Sequence, residues 1–477
     1  MGWWIAALAL IWLQIGFVLA MEGRRPTKAV AWIAVQLPLP VLGLLLYWCI
    51  GSPYIQRKWF RTRASQSSSG EEQSFTATVP DPVRDPRLRA LLAGIPESQI
   101  TTGNEVVVLS DASSTYKAIF SAIERARTDV HLLYFIVRDD RIGRELQALL
   151  LRKAEEGVSV RFIIDGLCSL KLGRRYVQEL RDGGVETYWF LPPISSLLQG
   201  RANYRNHRKI VVVDGEVGFT GGINIGDEYL GRGSKFDCWR DTHLQLRGPS
   251  VDSLRQTFET DWLFVTGQRL EMSSRRSWPS RPLHSAARTY EAADAGEVVQ
   301  IIPSGPDAPY DALQLLLFGA FQAAEERVWI TTPYFIPDEA VALALKIAAR
   351  RGVDVRLIIP HQPDTRWVYW ATLAHVEEFL QAGVRFYRYG KGFVHAKTAL
   401  VDRMLGVVGT ANVDRRSLFS NFEVTAVLYG AGSLDMLERD FMEDLQVCTE
   451  LELEFFSSQG KGPKALQSAA QLLSALF

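Results

Sequence analysis

Two eight-residue stretches carry the side chains best suited to chemistry: HRKIVVVD at 207–214 and HAKTALVD at 395–402. Both fit H-x-K-x4-D. A strand alternates its side chains, so His207 and Lys209 share one face, as do His395 and Lys397, while Asp214 and Asp402 fall on the other. One imidazole and one ammonium per stretch, present twice in one chain, suit a phosphodiester. One neutral imidazole attacks phosphorus in line and the other, as imidazolium, protonates the departing alkoxide. Lys209 and Lys397 neutralise the nonbridging oxygens as charge builds. This scheme calls for no metal or other cofactor, and no His, Cys or carboxylate cluster has ligand spacing.

Each imidazole needs a partner that fixes which nitrogen faces phosphorus. In NFEVTAVLYG, Glu423 stands seven residues before Gly430; in WRDTHLQLRG, Asp241 stands seven before Gly248. The two carboxylates correspond, which favours Asp241 over nearby Asp237. Asp214 and Asp402 are expected to fix the turn after their strands. Asn224 of GGIN and Asn412 of GTAN are either amide donors to phosphate oxygens or turn residues. The other histidines, His131, His243, His284, His361 and His375, share no spacing and read as surface or hydrogen-bonded core.

The elements that position these residues are also written twice. VHLLYFIV near 130 answers VWITTPYFI near 328, EEGVSVRFIIDG near 155 answers RRGVDVRLIIPH near 351, and GGVETYWF near 183 answers AGVRFYRY near 382. The apolar runs read as buried strands. Between them lie helical patterns, with Tyr116, Ile119, Phe120 and Ile123 in one copy and Leu313, Leu316, Leu317, Ala320 and Phe321 in the other. Strand alternating with helix is α/β, here two tandem units of mixed sheet flanked by helices and related by a pseudo-twofold axis. The first copy holds an extra surface loop, PPISSLLQGRANYRN. The expected division is a first unit at 85–265, a linker at 266–296 and a second unit at 297–477. The apolar spacing of KALQSAAQLLSALF marks a packing helix at the carboxyl end.

The amino end has a different composition. Residues 2–20 and 29–50 carry no charge, and each is long enough to cross a hydrocarbon core of about 30 Å as a helix. Residues 1–63 are therefore expected to form a two-helix transmembrane hairpin, kinked at Pro38 and Pro40. Ser-rich residues 64–84 read as a flexible tether. Arg24, Arg25 and Lys28 in the hairpin loop nearly balance Arg57, Lys58, Arg61 and Arg63 beyond it, which leaves the expectation of a cytoplasmic body weak on charge alone.

The 477 residues are 47% hydrophobic, and 53 Lys and Arg balance 53 Asp and Glu. A neutral chain gives no electrostatic reason to expect nucleic acid. The four cysteines are scattered and read as small buried residues.

HRKIVVVDGEVGFTGGIN and HAKTALVDRMLGVVGTAN resemble the two HKD motifs of the phospholipase D superfamily. The hairpin with RRPTKAVAWI, then NHRKIVVVDG, GGINIGDEYLG, WRDTH, PYFIPDEA and RSLFSNFEV, is similar to bacterial cardiolipin synthases over nearly the whole chain. The resemblance implies catalytic residues His207, Lys209, Asp214, His395, Lys397 and Asp402. It implies a bacterial inner-membrane phosphatidyltransferase that acts on phosphatidylglycerol. A histidine takes the phosphatidyl group, glycerol leaves, and a second phosphatidylglycerol accepts the group to form cardiolipin. Water as acceptor would make the same site a phospholipase D; a scaffold that binds lipid without turnover would keep the fold alone.

Overall fold

The computed structural model describes residues 2–22, 26–48, 83–95, 97–233, 235–270, 296–308 and 310–474. The tether at 64–84 and the linker at 266–296 fall mostly outside them. Strand Gln99–Asp111 pairs antiparallel with strand Glu297–Ser304, matching Gln99 with Ile301 and Thr101 with Val299. Among the described residues this pair is the centre of one continuous sixteen-stranded sheet, fifteen strands in one path and short Phe393–Val394 beside Trp239–Arg247.

From that centre the two halves unfold in the same order. One side runs through Trp239–Arg247, Val217–Gly221, Ile210–Val213, Asp129–Tyr134, Ser159–Asp165 and Glu186–Phe190. The other runs through Glu423–Leu428, Leu405–Gly409, Thr398–Val401, Arg327–Thr331, Asp354–Pro360 and Arg385–Tyr389, with Cys448–Leu451 added at the far edge. The duplicated sequence thus becomes a duplicated sheet. Helices Ala112–Glu124 and Ala312–Ala323 correspond, as do Arg141–Glu155 and Glu339–Arg350. The first turns of the latter two are capped alike: the Asp140 carboxylate accepts from Gly143 N, and Asp338 accepts from Ala340 and Val341.

The halves share a core. Val108, Ile210, Leu244 and Phe258 from one pack in a single cluster with Val299, Val408, Phe422 and Val424 from the other. Residues 85–95, assigned by sequence to the edge of the first unit, pack instead into the core of the second, as does Val83 at the end of the expected tether. Val83, Leu88, Leu92 and Ile95 join Leu313, Leu316 and Ala320 there. Apolar spacing records which face of a helix is buried, not which half receives it.

At the amino end one helix covers Gly2–Glu22. The second expected span is not one helix: it divides into Pro26–Gln36 and Pro40–Leu46, interrupted at 37–39. Pro38 has no amide hydrogen to donate, and Pro40 sits where a new helix begins. Among the described residues no helix is long and apolar enough to cross a membrane. The carboxyl-terminal helix Lys461–Ser474 packs on helix Arg366–Gln381 and touches the amino-terminal helices through Leu473.

The motif strands end in matching turns. Asp214 and Asp402 take left-handed backbone angles, φ 52° and 51°. The Asp214 carboxylate accepts from the backbone amides of Arg127, Thr128 and Asp129, and Asp402 from Glu325, Glu326 and Arg327. Each aspartate therefore pins the far end of its motif strand to the start of the neighbouring strand. Asp402→Ala is expected to cost about 1–2 kcal/mol, from lost acceptors for three amides. It should lower Tm while each folded molecule keeps its turnover. Lost turnover at unchanged Tm would instead make Asp402 part of the chemistry.

Candidate active site

The histidines stand just before their motif strands, where each half borrows backbone from the other. His207 N donates to Phe422 O at 2.9 Å, and Phe422 N donates back to Arg205 O. The second half repeats the arrangement with partners exchanged: Phe393–Val394 pairs with Trp239 and Arg240, and His395 N donates to Arg240 O at 2.7 Å. The residue after each acceptor carbonyl is a carboxylate. Glu423 Oε2 accepts from His207 Nδ1 at 2.8 Å, and Asp241 Oδ2 accepts from His395 Nδ1 at 2.7 Å. Each imidazole is thus oriented by the opposite half. An ionised carboxylate only accepts, so Nδ1 carries the proton and each Nε2 keeps its lone pair.

The lysines lie in the same pocket. Lys209 Nζ donates to His207 O at 2.7 Å, and Lys397 Nζ to His395 O at 2.6 Å. All six side chains are buried. Burial pushes the His207 imidazole down to about 4; Glu423 opposes this, while Lys209 and, from the other half, Lys397 add to it. His395 is likewise brought to about 4 by burial and Lys397, against the pull of Asp241. Burial lowers Lys209 to about 7 and Lys397 to about 8, both kept from falling further by the carboxylates. Burial would raise Glu423, yet His207 and Lys209 hold it at about 2; His395 and Lys397 hold Asp241 below the usual carboxylate range in the same way. At rest the pocket contains two neutral imidazoles, two carboxylates and two lysines whose ammoniums lose their protons around and just above neutrality. Such a pocket is matched to an incoming anion.

A family profile described as "Cardiolipin synthase, PLD-like domain" matches residues 119–262 and 317–445. The cardiolipin synthase of Geobacillus kaustophilus (strain HTA426) is 39% identical over 472 residues, covering 97% of this chain and 91% of that protein. The one of Geobacillus thermodenitrificans (strain NG80-2) is 40% identical with the same coverage. This chain belongs to the cardiolipin synthase family. Its fold is similar to a solved phosphatidylserine synthase of Haemophilus influenzae Rd KW20, with TM-score 0.62 at 17% identity, over 82% of this chain and 99% of that one.

Not every residue implied by the cardiolipin synthase resemblance reaches the pocket. Asp214 and Asp402 do not, because alternation along the strand and the turn that follows carry them to its far end. Asn224 and Asn412 are engaged with the protein: Asn224 Oδ1 accepts from Ile136 N and its amide donates to Tyr229 Oη at 2.8 Å, while the Asn412 amide donates to Asp414 at 3.1 Å. Asn224 thereby ties the loop after its motif strand to the end of strand Asp129–Tyr134, and Asn412 bonds within its own loop. Cys168, Cys238 and Cys448 are free and only partly buried, which departs from the fully buried reading; Cys49 lies outside the described residues.

Other pocket residues escape sequence reading. The Phe135 ring meets His207 edge-on at 4.5 Å and lies 5.1 Å from Lys209 Nζ. Trp239 and Tyr229 flank His395 at 5.3 and 6.4 Å. Phe135 lies in an apolar run that reads only as strand, and Tyr229 and Trp239 lie in mixed polar stretches whose pattern does not single them out. Thr410, which stands where the first copy has Gly222, donates its hydroxyl to Glu423 Oε2 at 2.6 Å, and Asn421 donates to Oε1 at 3.2 Å. The signal was the departure from the repeat. In the first copy a Cβ on the matching Gly222 would lie 1.9 Å from Asp241 Oδ1. Glycine there leaves room for the aspartate carboxylate, whereas threonine supplies a hydrogen bond to the glutamate.

The depressed imidazoles make acid stability a readout of the site. From pH 6.5 down to 4, the unfolded chain binds protons that the folded His207 and His395 refuse, so stability falls as pH falls through that window. Tm of the His207→Gln/His395→Gln variant is expected to decline less than wild type between pH 7 and 4.5, measured by thermal unfolding of the full chain. Equal declines would contradict the burial of neutral imidazoles.

Proposed function

We propose that this protein is a membrane-bound phosphatidyltransferase that makes cardiolipin and glycerol from two phosphatidylglycerol molecules. The observation that carries this reading is the reciprocal Nδ1 lock, which presents one free Nε2 lone pair from each half beside both lysines. Resemblance to the superfamily favours His207 as nucleophile. His207 Nε2 attacks phosphorus, an N–P bond forms, and the P–O bond to glycerol breaks. His395 gives the leaving oxygen its proton. Binding of the anionic phosphodiester raises the proton affinity of the imidazole beside it, which charges a ring held neutral at rest. Neutral again after that transfer, His395 takes the proton from the hydroxyl of a second phosphatidylglycerol. That oxygen attacks phosphorus, the N–P bond breaks, and cardiolipin is released. Lys209 and Lys397 bear the charge on the nonbridging oxygens in both steps.

Attachment to the bilayer through the amino end is part of the proposal. Helix Gly2–Glu22 and the two short helices after it bury a small shared interior, including Val18, Ala31 and Trp32. They expose Trp12, Leu13, Phe17, Val41 and Leu45 outward. That outward face suits hydrocarbon better than water. Tethering raises the local concentration of both lipid substrates.

Full-length protein in phosphatidylglycerol vesicles with a chelator is expected to yield cardiolipin and free glycerol in equal amounts. His207→Ala and His395→Ala should each cut turnover at least about a hundredfold. Phosphatidic acid as sole product would replace transfer with hydrolysis, and a near-normal rate in either variant would remove the shared site. Mass spectrometry of acid-quenched protein should place the phosphatidyl group on His207; finding it on His395 would reverse the two roles.

The lysines predict an alkaline limb. As pH rises through about 7 and 8, free enzyme loses the ammoniums of Lys209 and then Lys397, so kcat/KM for cardiolipin formation is expected to fall. A flat profile from pH 7 to 10 would show that both lysines keep their charge.

A further inference from the structure

The geometry points to the loops 166–173 and 191–200 of the first half as a membrane-inserting lip that presses the mouth of the active site into an anionic bilayer. This rests on the phosphatidyl-transfer reading above and concerns how the cleft reaches its lipid. Five large apolar side chains stand in solvent on these two loops: Leu167, Leu170, Ile194, Leu197 and Leu198, the last at 74% exposure. Ile194 and Leu198 project from the short helix Pro193–Leu198, inside the loop by which the first half exceeds the second. A cluster of this kind is out of place on a water-facing surface.

The loops are fastened to the catalytic pocket. Ser169, between Leu167 and Leu170, donates its hydroxyl to Phe135 O and accepts from Val137 N; the Phe135 ring rests on His207. Asp165 accepts from the amides of Leu167 and Cys168 through one oxygen and from Asn206, the neighbour of His207, through the other. Gly166 N donates to Phe190 O, and a Cβ at Gly166 would lie 2.8 Å from Leu191 O, so the two loops are seated against each other. On the second half, Trp367 is exposed at the start of the helix that follows strand Asp354–Pro360, the counterpart of Ser159–Asp165. Apolar side chains therefore rise from both halves at the ends of corresponding strands.

Charge decides the occupant. Residues 166–178 and 191–205 contain no Asp or Glu but hold Lys171, Arg174, Arg175 and Arg201, besides Arg205, which is buried beside Asp165; Arg175 also pairs with Glu179 at 2.7 Å. Lys171, Arg174 and Arg175 are exposed. An apolar tip with a basic collar fits the boundary between acyl chains and anionic headgroups. A second copy of the same basic face would repel it.

The test compares two physical forms of one substrate. A Leu170→Ser/Ile194→Ser/Leu198→Ser variant of the full chain is assayed on phosphatidylglycerol vesicles and on short-chain phosphatidylglycerol below its micelle concentration. Vesicle turnover is expected to fall at least about tenfold, with monomer turnover within about twofold of wild type. A Lys171→Gln/Arg174→Gln/Arg175→Gln variant should lose most of the salt sensitivity seen on vesicles. Equal loss on both substrates, or no loss on vesicles, overturns the lip. So does a change in the size of the detergent-solubilised particle, which would make the patch a self-association face. If wild type makes no cardiolipin from either form, the phosphatidyl-transfer reading itself fails instead.

Discussion

The structure depends on two hydrogen bonds that cross between its halves. His207 is held by Glu423 and His395 by Asp241, at 2.8 and 2.7 Å, and neither pair exists within one copy of the repeat. A single copy would hold an imidazole without its carboxylate and a carboxylate without its imidazole. Both would be costly to bury alone. Pairing across the halves removes that cost and fixes the same tautomer in both rings. The two Nε2 atoms then become equivalent in chemistry, and only the asymmetry of their surroundings separates the roles.

The sheet makes this exchange possible. Its central antiparallel pair joins the halves, and a common core of residues from both sides keeps them in register. On the opposite face of the first motif, Arg208 donates to Glu423 O and pairs with Asp261, which also accepts from Asn206. The backbone that carries Glu423 is therefore held from behind by the strand that carries His207. Burying so many charged groups adds little to stability, since desolvation offsets most of the attraction. What it supplies is a fixed geometry in a water-poor pocket, where charge developing on a phosphoryl group is strongly felt.

Duplication has left a record of divergence. Glu423 has three side-chain donors, from His207, Thr410 and Asn421, whereas Asp241 is met by His395 and the Thr242 amide. The longer carboxylate takes the threonine and the shorter one requires glycine. The extra loop of the first half is a second divergence, and it carries the exposed apolar side chains of Ile194, Leu197 and Leu198.

Local pattern determined a good deal by itself. The two H-x-K pairs, the corresponding positions of Asp241 and Glu423, and the α/β alternation are all carried by residue type and spacing, because strand and helix periods and the chemistry of phosphodiesters are local facts. Strand alternation likewise sent Asp214 and Asp402 away from the histidines. Tertiary structure decided which carboxylate serves which histidine. Repeat correspondence equates Asp241 with Glu423 but cannot say that each reaches across, since that depends on how two halves dock. The docking also placed residues 83–95 in the second core and set Trp239 against His395, while packing within each half set Phe135 against His207 and Thr410 on Glu423. Contacts between residues far apart in the chain leave no period in the sequence, and these are the contacts that build the site.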